Sequence, residues 1–441
     1  MIELSIEWIT ILMFGSMLIL MFLGLPIAFS TGSVGVIFTA LLMGPDAIAI
    51  IPTRMFGLMN NYLLGAIPLF IVMACILERA GLISDIYNMI HQWLGWLKGG
   101  VASATVVACT LIACMVGIIG ASEVTMGVIA LPEMLRRKYN KYIALGSILA
   151  GGTLGILIPP SIMLIIYGMI DQVSVGQLYA GAFMPGLMLA GIFIIYITVV
   201  AYIKPETGPP IPKEERATWS EKFNLLFPII PSAILIFLVL GTIILGIAAP
   251  TEAAGVGALG ALLISLSRRT LTWKNTVSAC LQTMNTTAMV LWIMFGANIF
   301  VALYVMVGGG DFVQEMLLGS GLGKWGVLIS MQIMLVILGA FMDWVGIFML
   351  CIPLFGPIIR QLGFDPIWFG VLVAVNMQLS FLTPPFGYAL FFLKGVAPPE
   401  ITTKDVWLGA IPFVGLQFIG LVLCMVFPEI ILWLPNLLFN R

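Results

Sequence analysis

Charge is scarce in this sequence. Only 9% of its 441 residues are Asp, Glu, Lys or Arg, and the formal net charge is −1. Soluble domains carry about 25% charged residues, so this composition excludes an ordinary soluble protein. The charges are spread over polar segments and form no basic face, and we therefore expect no nucleic-acid partner.

The residues that support most metal and nucleophilic chemistry are also few. The chain has one histidine, His91, and its six cysteines form neither a C-x-x-C pair nor a Cys/His cluster. A zinc centre, a disulfide framework and a His-based triad are therefore not predicted. We expect the cysteines to be small core residues, and we expect no enzymatic activity and no covalently bound cofactor.

A glycine-rich string around Lys324 fails as a phosphate-binding loop. That loop needs a glycine where this chain has Leu318, and a Ser or Thr where it has Trp325. ATP is therefore not predicted as an energy source.

Apolar residues are abundant instead. They make up 61% of the chain, and the mean hydropathy is +1.14. Runs of about 18 or more apolar residues, each long enough to cross about 30 Å of hydrocarbon as a helix, recur along the whole sequence. The alternation typical of a membrane β-barrel does not occur. The pattern predicts an all-α polytopic membrane protein whose first helix is retained, because MIELSIEW has no basic flank.

A polar segment divides the chain into two similar halves. Lys204–Lys222 is rich in proline and charge, as in an aqueous loop. On either side of it, Pro132–Pro160 aligns without a gap with Pro357–Pro385, and both stretches end in a double proline. This similarity predicts a duplicated unit. We assign residues 1–204 to the first repeat, 205–222 to a cytoplasmic linker and 223–441 to the second repeat.

Each repeat is predicted to contain the same elements in the same order: scaffold spans, an amphipathic arm, a Gly-rich hairpin, a broken helix and a closing span. In the first repeat these cover 8–80, 83–97, 99–138, 141–170 and 176–204. In the second they cover 223–307, 311–323, 325–360, 362–395 and 405–434.

Basic residues decide whether the Gly-rich stretches are two crossing helices or re-entrant hairpins. With hairpins, each repeat crosses the membrane five times, so the repeats must be inverted relative to one another. If both termini are periplasmic, all but four of the 19 Lys and Arg residues lie on the cytoplasmic side, as the positive-inside rule requires. The four outside are Arg54, Lys324, Arg360 and Arg441.

Helix breakers occur at corresponding places in the two halves. Within hydrocarbon, a break is tolerated where it lines a polar cavity or coordinates a ligand, because freed backbone groups find no water. Freed carbonyls can face a cation, and a half-helix that begins near Pro160 would point its positive end at an anion. The alternative is a plain proline kink. The residues of the first break are Gly151, Gly152, Gly155, Pro159, Pro160 and Ser161.

The second break is richer in polar side chains: Asn376, Gln378, Ser380 and Thr383. Hydroxyl, amide and carbonyl oxygens are hard donors that suit sodium. Each hairpin also carries a carboxylate, Glu123 in GASEVT and Asp343 in GAFMDW. An ionisable group inside a membrane is by default functional, so these two could bind a cation or carry a proton, unless the hairpin tips are simply solvated.

These motifs identify the family that the chain resembles. GGTLGILIPPSIMLIIYG, PTEAAGVGALGA, the two hairpin tips and LTPPFGYALFF are similar to segments of the large membrane (M) subunit of tripartite ATP-independent periplasmic (TRAP) transporters, and the resemblance covers nearly the whole chain. It implies an elevator-type, ion transporter-like secondary transporter of a bacterial or archaeal inner membrane. A sodium gradient would drive the uptake of a small organic anion of the carboxylate type.

The resemblance also implies partners and sites. The partners would be a periplasmic (P-type) binding protein that delivers the substrate and a separate small four-helix (Q-type) membrane subunit, in the lipid bilayer. The implied first sodium site comprises Ser122, Gly152, Gly155 and Pro159. The implied second site comprises Gly339, Asp343, Ser380, Thr383 and Pro384. The substrate-binding candidates are Asn376, Gln378, Thr383 and Ser161.

Two other hypotheses remain at this point. Proton coupling through Glu123 or Asp343 would replace sodium, and a non-transporting membrane scaffold would use the breaks as packing kinks only.

Overall fold

The computed structural model describes residues 4–117, 120–384 and 387–439, and all regular structure within these ranges is helical. Three sequence features lie wholly or partly outside the described residues: Arg441, Ile118–Ile119 of the first hairpin tip, and Pro385 of the second double proline. The helices of the first half are α1 Ile6–Phe22, α2 Ile27–Met43, α3 Ile50–Met59, α4 Ala66–Arg79, α5 Leu82–Leu94, α6 Gly100–Val116, α7 Ala121–Arg136, α8 Lys141–Thr153, α9 Ile162–Asp171 and α10 Val175–Ile203.

Eleven further helices follow in the described part of the second half. Its helices are α11 Trp219–Asn224, α12 Ile230–Ile244, α13 Pro250–Ser267, α14 Trp273–Met306, α15 Gly309–Leu318, α16 Gly323–Gly339, α17 Trp344–Gln361, α18 Pro366–Phe381, α19 Tyr388–Val396, α20 Thr403–Val426 and α21 Glu429–Phe439.

Apolar length and outer surface both fit a membrane protein. Six of the described helices are long and apolar enough to cross a bilayer. Large apolar side chains such as Phe237 and Ile247 lie exposed on the outside, where lipid rather than water would cover them. The predicted all-α polytopic membrane class is confirmed. The six are Tyr62–Arg79, Val175–Ile203, Pro250–Ser267, Trp273–Met306, Trp344–Gln361 and Thr403–Val426.

Three details differ from the sequence-based expectation. Helix α3 lies within the range 8–80 that was assigned to scaffold spans, but its ten residues are too few to cross a bilayer. The single span expected over 405–434 is two helices, because Phe427 precedes Pro428 and a residue before proline is driven out of the helical region. The expectation of core cysteines is wrong for Cys280, which is exposed, and Cys114 is only partly buried.

The helices pack in two groups. In the first group, α2 and α4 pack against α13 and α14. Small residues permit a close crossing of α2 and α14, since a Cβ at Gly296 of α14 would lie 2.1 Å from the Ala28 carbonyl oxygen of α2. In the second group, the broken helices α8 and α18 are surrounded by α6, α7, α10, α16 and α20. Because α8 and α18 are buried almost from end to end, they form the core that positions the site.

The segment between the halves, residues 205–222, is not a free loop, and we call it the strap. The Gly208 carbonyl accepts the Gly99 N–H at 2.8 Å, and the Thr207 carbonyl accepts the Asn140 N–H at 3.0 Å. These two bonds reach the residues that flank the α6–α7 hairpin at its open end. The strap therefore connects the two ends of the first hairpin, before α6 and after α7.

Further along, the strap packs on the arm helix α5 and begins a short helix of its own. The Trp93 ring of α5 makes an edge contact with Trp219, with ring centroids 6.3 Å apart. The Thr218 backbone N–H and hydroxyl both donate to Glu221 at the start of α11, and these bonds hold the pKa of the Glu221 carboxyl below its usual value. The strap is thus folded on the first half along its length.

Candidate functional site

The first broken helix is interrupted at its buried centre. Helix α8 tightens into a 3-10 turn at Leu154–Ile156, and α9 begins only at Ile162. The Ser161 hydroxyl donates to the Ile156 carbonyl and accepts the Leu164 N–H at 3.4 Å. Ser161, predicted to bind substrate, therefore caps α9 and is occupied by its own chain. All residues from 143 to 169 are buried.

The first hairpin tip lies directly against this break. A Cβ at Gly117 would lie 2.2 Å from the Pro160 carbonyl oxygen, and one at Gly152 would lie 2.5 Å from Cδ of Glu123. A side chain at Gly117 would collide with backbone, whereas one at Gly152 would displace the end of the Glu123 side chain. The structure thus places Glu123 of the tip beside Gly152, before the break, and Gly117 beside Pro160, within it.

Two oxygens at this tip have no hydrogen-bond partner among the described residues: Ser122 Oγ and Glu123 Oε1. Both side chains are 0% exposed. The other oxygen of Glu123 accepts the Gly120 N–H at 2.6 Å, so this carboxylate caps α7. Because buried polar atoms are nearly always paired, the two unpaired oxygens mark a place where a ligand would be stabilised.

The second broken helix is interrupted closer to the surface. Helix α18 ends at Phe381, and α19 begins at Tyr388. The Thr383 hydroxyl donates to the Leu379 carbonyl at 2.7 Å. Thr383 is half-buried and Pro384 is exposed, so this break is reachable from outside the protein core.

The second tip meets its break through a different pair of residues. A Cβ at Gly339 would lie 2.3 Å from both Cβ and Oγ of Ser380. The hairpin therefore approaches α18 at this position without a side chain of its own. Asp343 begins the returning helix α17, where its Oδ2 accepts the Val345 N–H at 3.1 Å. Gly339 and Ser380 are thus in contact, whereas Asp343 lies on another side of the tip.

Asn376 and Gln378 point to different parts of the core. Asn376 Nδ2 donates to Gln332 Oε1 at 2.6 Å and to the Gln332 carbonyl at 3.0 Å, so this amide links α18 to α16. Gln378 is 0% exposed, and neither its amide nitrogen nor its amide oxygen has a partner among the described residues. It shares a helix face with Val371, which contacts Gly181 of α10. The two predicted substrate ligands therefore do not converge.

Two buried glutamines were missed by sequence reasoning. Gln332 pairs with Asn376, and Gln417 Nε2 of α20 donates to the Thr153 hydroxyl at 3.0 Å, where α8 ends. A lone glutamine inside an otherwise apolar helix was the available signal, since polar side chains in membrane helices usually bond across helices.

Asp343 faces a cleft between the two helix groups. The cleft has a volume of about 490 Å³ and lies between α2 and α14 on one side and the second tip and α19 on the other. A neighbouring space of about 190 Å³ at the α1–α2 turn shares the Asp343 and Tyr388 walls. Phe392 of α19 reaches the first tip, since a Cβ at Gly120 would lie 3.1 Å from its ring. The Phe392 ring therefore lies between the cleft and the first tip, and the cleft itself borders the second tip.

The ligand atoms available at the two tips limit which ions could bind there. Within the described ranges, no group of three or more His, Cys, Asp or Glu residues could hold a metal ion. The groups available at the tips are hydroxyls, carboxylate oxygens and backbone carbonyls, which suit hard cations that bind oxygen.

The sequence matches a known transporter family over most of its length. The model of the DctM component of the tripartite ATP-independent periplasmic transporters matches residues 14–430. The C4-dicarboxylate TRAP transporter large permease protein DctM of Vibrio cholerae is 32% identical over 442 residues, which covers 96% of each chain. The ectoine TRAP transporter large permease protein TeaC of Halomonas elongata is 29% identical and covers 98% of this chain and all of the relative.

The fold is similar to that of a solved transporter of unusual topology. The crystal structure of the Alcanivorax borkumensis YdaH transporter superimposes with a TM-score of 0.65, covering 87% of this chain and 89% of that one at 15% sequence identity. At this low sequence identity, the similarity supports a shared fold only.

Proposed function

The chain belongs to the DctM family of tripartite ATP-independent periplasmic transporters, and from that premise we propose that it couples the uptake of a small organic anion to a sodium gradient. Family membership makes it a multi-pass inner-membrane permease that performs secondary transport with a periplasmic binding protein, and not an enzyme. The coupling ion, the ion sites and the type of movement belong to our proposal.

One observation carries the proposal for sodium: each hairpin tip presses against the break of a buried helix, and the first presents two unpaired oxygens there. We assign the first sodium ion to Ser122 and the backbone at Gly152, Gly155 and Pro159. We assign the second to Gly339, Ser380, Thr383 and Pro384, with Asp343 at its edge. Hydroxyl and carbonyl oxygens suit hard cations, of which sodium is one.

The movement we propose is of the elevator type, between inverted repeats. The group containing both hairpins and both broken helices would move as a unit that carries substrate and ions past the group built from α1, α2, α4 and α12–α14. The dense packing of α2 and α4 on α13 and α14 supports this division. The contacts of α14 with α17 and of α4 with α6 cross between the groups, and the movement would have to rearrange them. Both termini would be periplasmic, and a separate small four-helix subunit would complete the complex.

The experiment that tests sodium coupling is thermal stability of the purified chain with its small subunit against sodium, with potassium and choline as controls. Binding to the folded state raises the midpoint by mass action, so we expect a rise specific to sodium. Ser122→Ala and Thr383→Ala should reduce it. Their matched controls are Ser147→Ala and Thr110→Ala, because these buried hydroxyls donate only within the protein core. Equal midpoints in sodium and potassium would contradict the proposal.

Proton coupling is the second candidate function. The burial of the Glu123 carboxylate favours it. This carboxylate is fully buried with one oxygen unpaired, and such a group can carry a proton across a membrane. Sodium-driven uptake in proteoliposomes that persists in Glu123→Gln and Asp343→Asn would rule this candidate out.

A further inference from the structure

The cleft beside Asp343 is unusually aromatic for a space that contains a charged side chain. Its wall includes Phe29 and Trp292 from the α2–α14 side and Phe381, Tyr388 and Phe392 from the other. Phe29 and Trp292 lie with ring centroids 6.1 Å apart, and Phe381 and Tyr388 with centroids 6.2 Å apart. Rings on opposite walls of one cleft can surround a ligand from two sides.

Several of these rings are accessible. Trp292 is 56% exposed, Phe29 is 56% exposed and Phe392 is 41% exposed. Their apolar surface is therefore available to a ligand that enters the cleft. The face of an aromatic ring carries negative charge density and attracts a cation, most strongly when the cation is poorly hydrated.

The charge in the cleft has one sign. Among the described residues that line it and the adjoining space, Asp343 is charged and none is basic. No ion pair found between described residues includes Asp343. A carboxylate beside several aromatic rings is complementary to an ammonium group, because the ring faces and the carboxylate both attract positive charge.

We propose that this cleft selects substrates that carry an ammonium group, above all a quaternary ammonium, in addition to their carboxylate. The inference rests on the proposed function, in which the cargo is a small organic anion, and narrows that cargo to zwitterions. The ammonium group lies against Asp343 and between the rings of Trp292 and Tyr388. A substrate with carboxylates only would place a second negative charge beside the Asp343 carboxylate and offer the ring faces no positive group.

The test uses two probes of the same shape. Glycine betaine carries a quaternary nitrogen where 3,3-dimethylbutanoate carries a quaternary carbon, so the two differ in charge and hardly in size. Each is titrated against the thermal midpoint of the purified chain with its small subunit, in saturating sodium, with succinate as a dicarboxylate probe. We expect glycine betaine to bind at least about tenfold more tightly than 3,3-dimethylbutanoate. Equal binding, or tighter binding of succinate, would overturn the proposal.

Variants locate the effect in the cleft. Trp292→Leu should weaken glycine betaine binding about fivefold and change 3,3-dimethylbutanoate binding less than about twofold. The matched control is Trp273→Leu, since Trp273 lies on the same helix, is 83% exposed and does not line the cleft. A loss of the same size in both variants, or for both probes, would count against the cation–aromatic interaction.

Asp343→Asn separates this inference from the proposed sodium site. If Asp343 faces the substrate, the variant loses the preference for glycine betaine. A sodium-specific rise in midpoint, reduced in size, is still expected from the first ion site, which does not include Asp343. If the variant loses the sodium response and keeps the preference, the carboxylate serves the ion and the inference is wrong. A wild-type sodium response without any preference between the probes overturns the inference alone. If the wild-type protein prefers glycine betaine but shows no sodium-specific rise in midpoint, the inference is supported and the sodium proposal is contradicted.

Discussion

In the first half of the molecule, the broken helix supplies the glycine and the hairpin supplies the side chain that fills the space: Gly152 faces Glu123. In the second half, the hairpin supplies Gly339 and the broken helix supplies Ser380. The exposure differs as well. Ser122 and Glu123 are fully buried, whereas Asp343 is half-buried and borders an open cleft.

This difference shows that one duplicated plan can produce a sealed site and an open one. A ligand can reach the second tip through the cleft as the protein stands. Reaching the first tip requires movement of the hairpin, since no residue of the break is exposed. We therefore expect exchange of a bound ion to be slower at the first tip than at the second.

The largest effect should follow from filling the space at the second tip. Gly339→Ala places a Cβ 2.3 Å from Cβ of Ser380, and because that atom is attached to the backbone of α18 it cannot swing away. Overpacking of this kind costs about 1–3 kcal/mol. We expect a clear fall in thermal midpoint and loss of the sodium-specific rise.

The control for this variant is Gly395→Ala, since no atom lies within 4 Å of a Cβ there. The double variant Gly339→Ala/Ser380→Gly should recover much of the lost stability. The glycine then lies on the broken helix and the side chain on the hairpin, as in the first half. A double variant less stable than Gly339→Ala would contradict the steric explanation.

A smaller effect is expected from the corresponding change in the first half. Gly152→Ala places a Cβ 2.5 Å from Cδ of Glu123, which is the end of a flexible side chain. The carboxylate can move only by giving up its bond to the Gly120 N–H, so we expect a cost of about 1 kcal/mol. A double-mutant cycle with Glu123→Ala should show a coupling energy of this order. Additive effects would show that the two residues do not interact.

Next in size is the difference between two ion pairs at the margins of the broken helices. Asp171 at the end of α9 pairs with Arg360 at 2.8 Å, and the Asp171 side chain is 4% exposed. Lys141 at the start of α8 pairs with Asp405 at 2.7 Å, and these side chains are 42% and 10% exposed. Because Arg360 is itself 45% exposed, Asp171→Asn should destabilise the protein by about 1 kcal/mol or less.

The matched variant Lys141→Met should lower the thermal midpoint less than Asp171→Asn does, because Asp405 keeps its bonds from the Thr402 N–H and hydroxyl. Asp171→Asn, in contrast, also weakens the bond from the Tyr167 hydroxyl. Midpoints in the reverse order would show that these further bonds do not decide the difference between the two pairs.

The smallest effect is expected from Glu123→Gln. The amide oxygen of glutamine can still accept the Gly120 N–H, so the cap of α7 is kept and the change in stability should stay within about 1 kcal/mol. The sodium-specific rise in midpoint should persist. If that rise disappears and stability becomes independent of pH, the two tips differ in the ion they bind and not only in their exposure.

The sequence contained enough information for the order of the helices and the positions of the breaks. Glycines and a double proline inside an apolar run leave few alternatives, and α8 stops at Thr153, within the stretch where these residues occur. The sequence contained less information about where helices end in proline-rich regions. The span expected through residue 434 ends at Val426, because the local conformation before Pro428 overrides hydropathy.

The contacts between elements could not be predicted from local pattern. Nothing near Gly152 in the sequence indicates that Glu123 fills the space beside it, since that contact depends on how a hairpin docks. The Asn376–Gln332 pair likewise joins residues of two helices that are distant in sequence. The aromatic cleft combines side chains from both halves of the chain, and no single motif predicts it.

The strap determines where this protein could be divided into two polypeptides. Judged by composition, residues 205–222 are the obvious place to cut the chain or to insert a reporter domain. Yet the Thr207 and Gly208 carbonyls accept hydrogen bonds from Asn140 and Gly99, at the two ends of the first hairpin. A cut before Thr207 would therefore place both acceptors on the fragment that lacks the hairpin. The natural boundary between two separately produced halves lies after Asn224, where α11 ends and α12 has not yet begun.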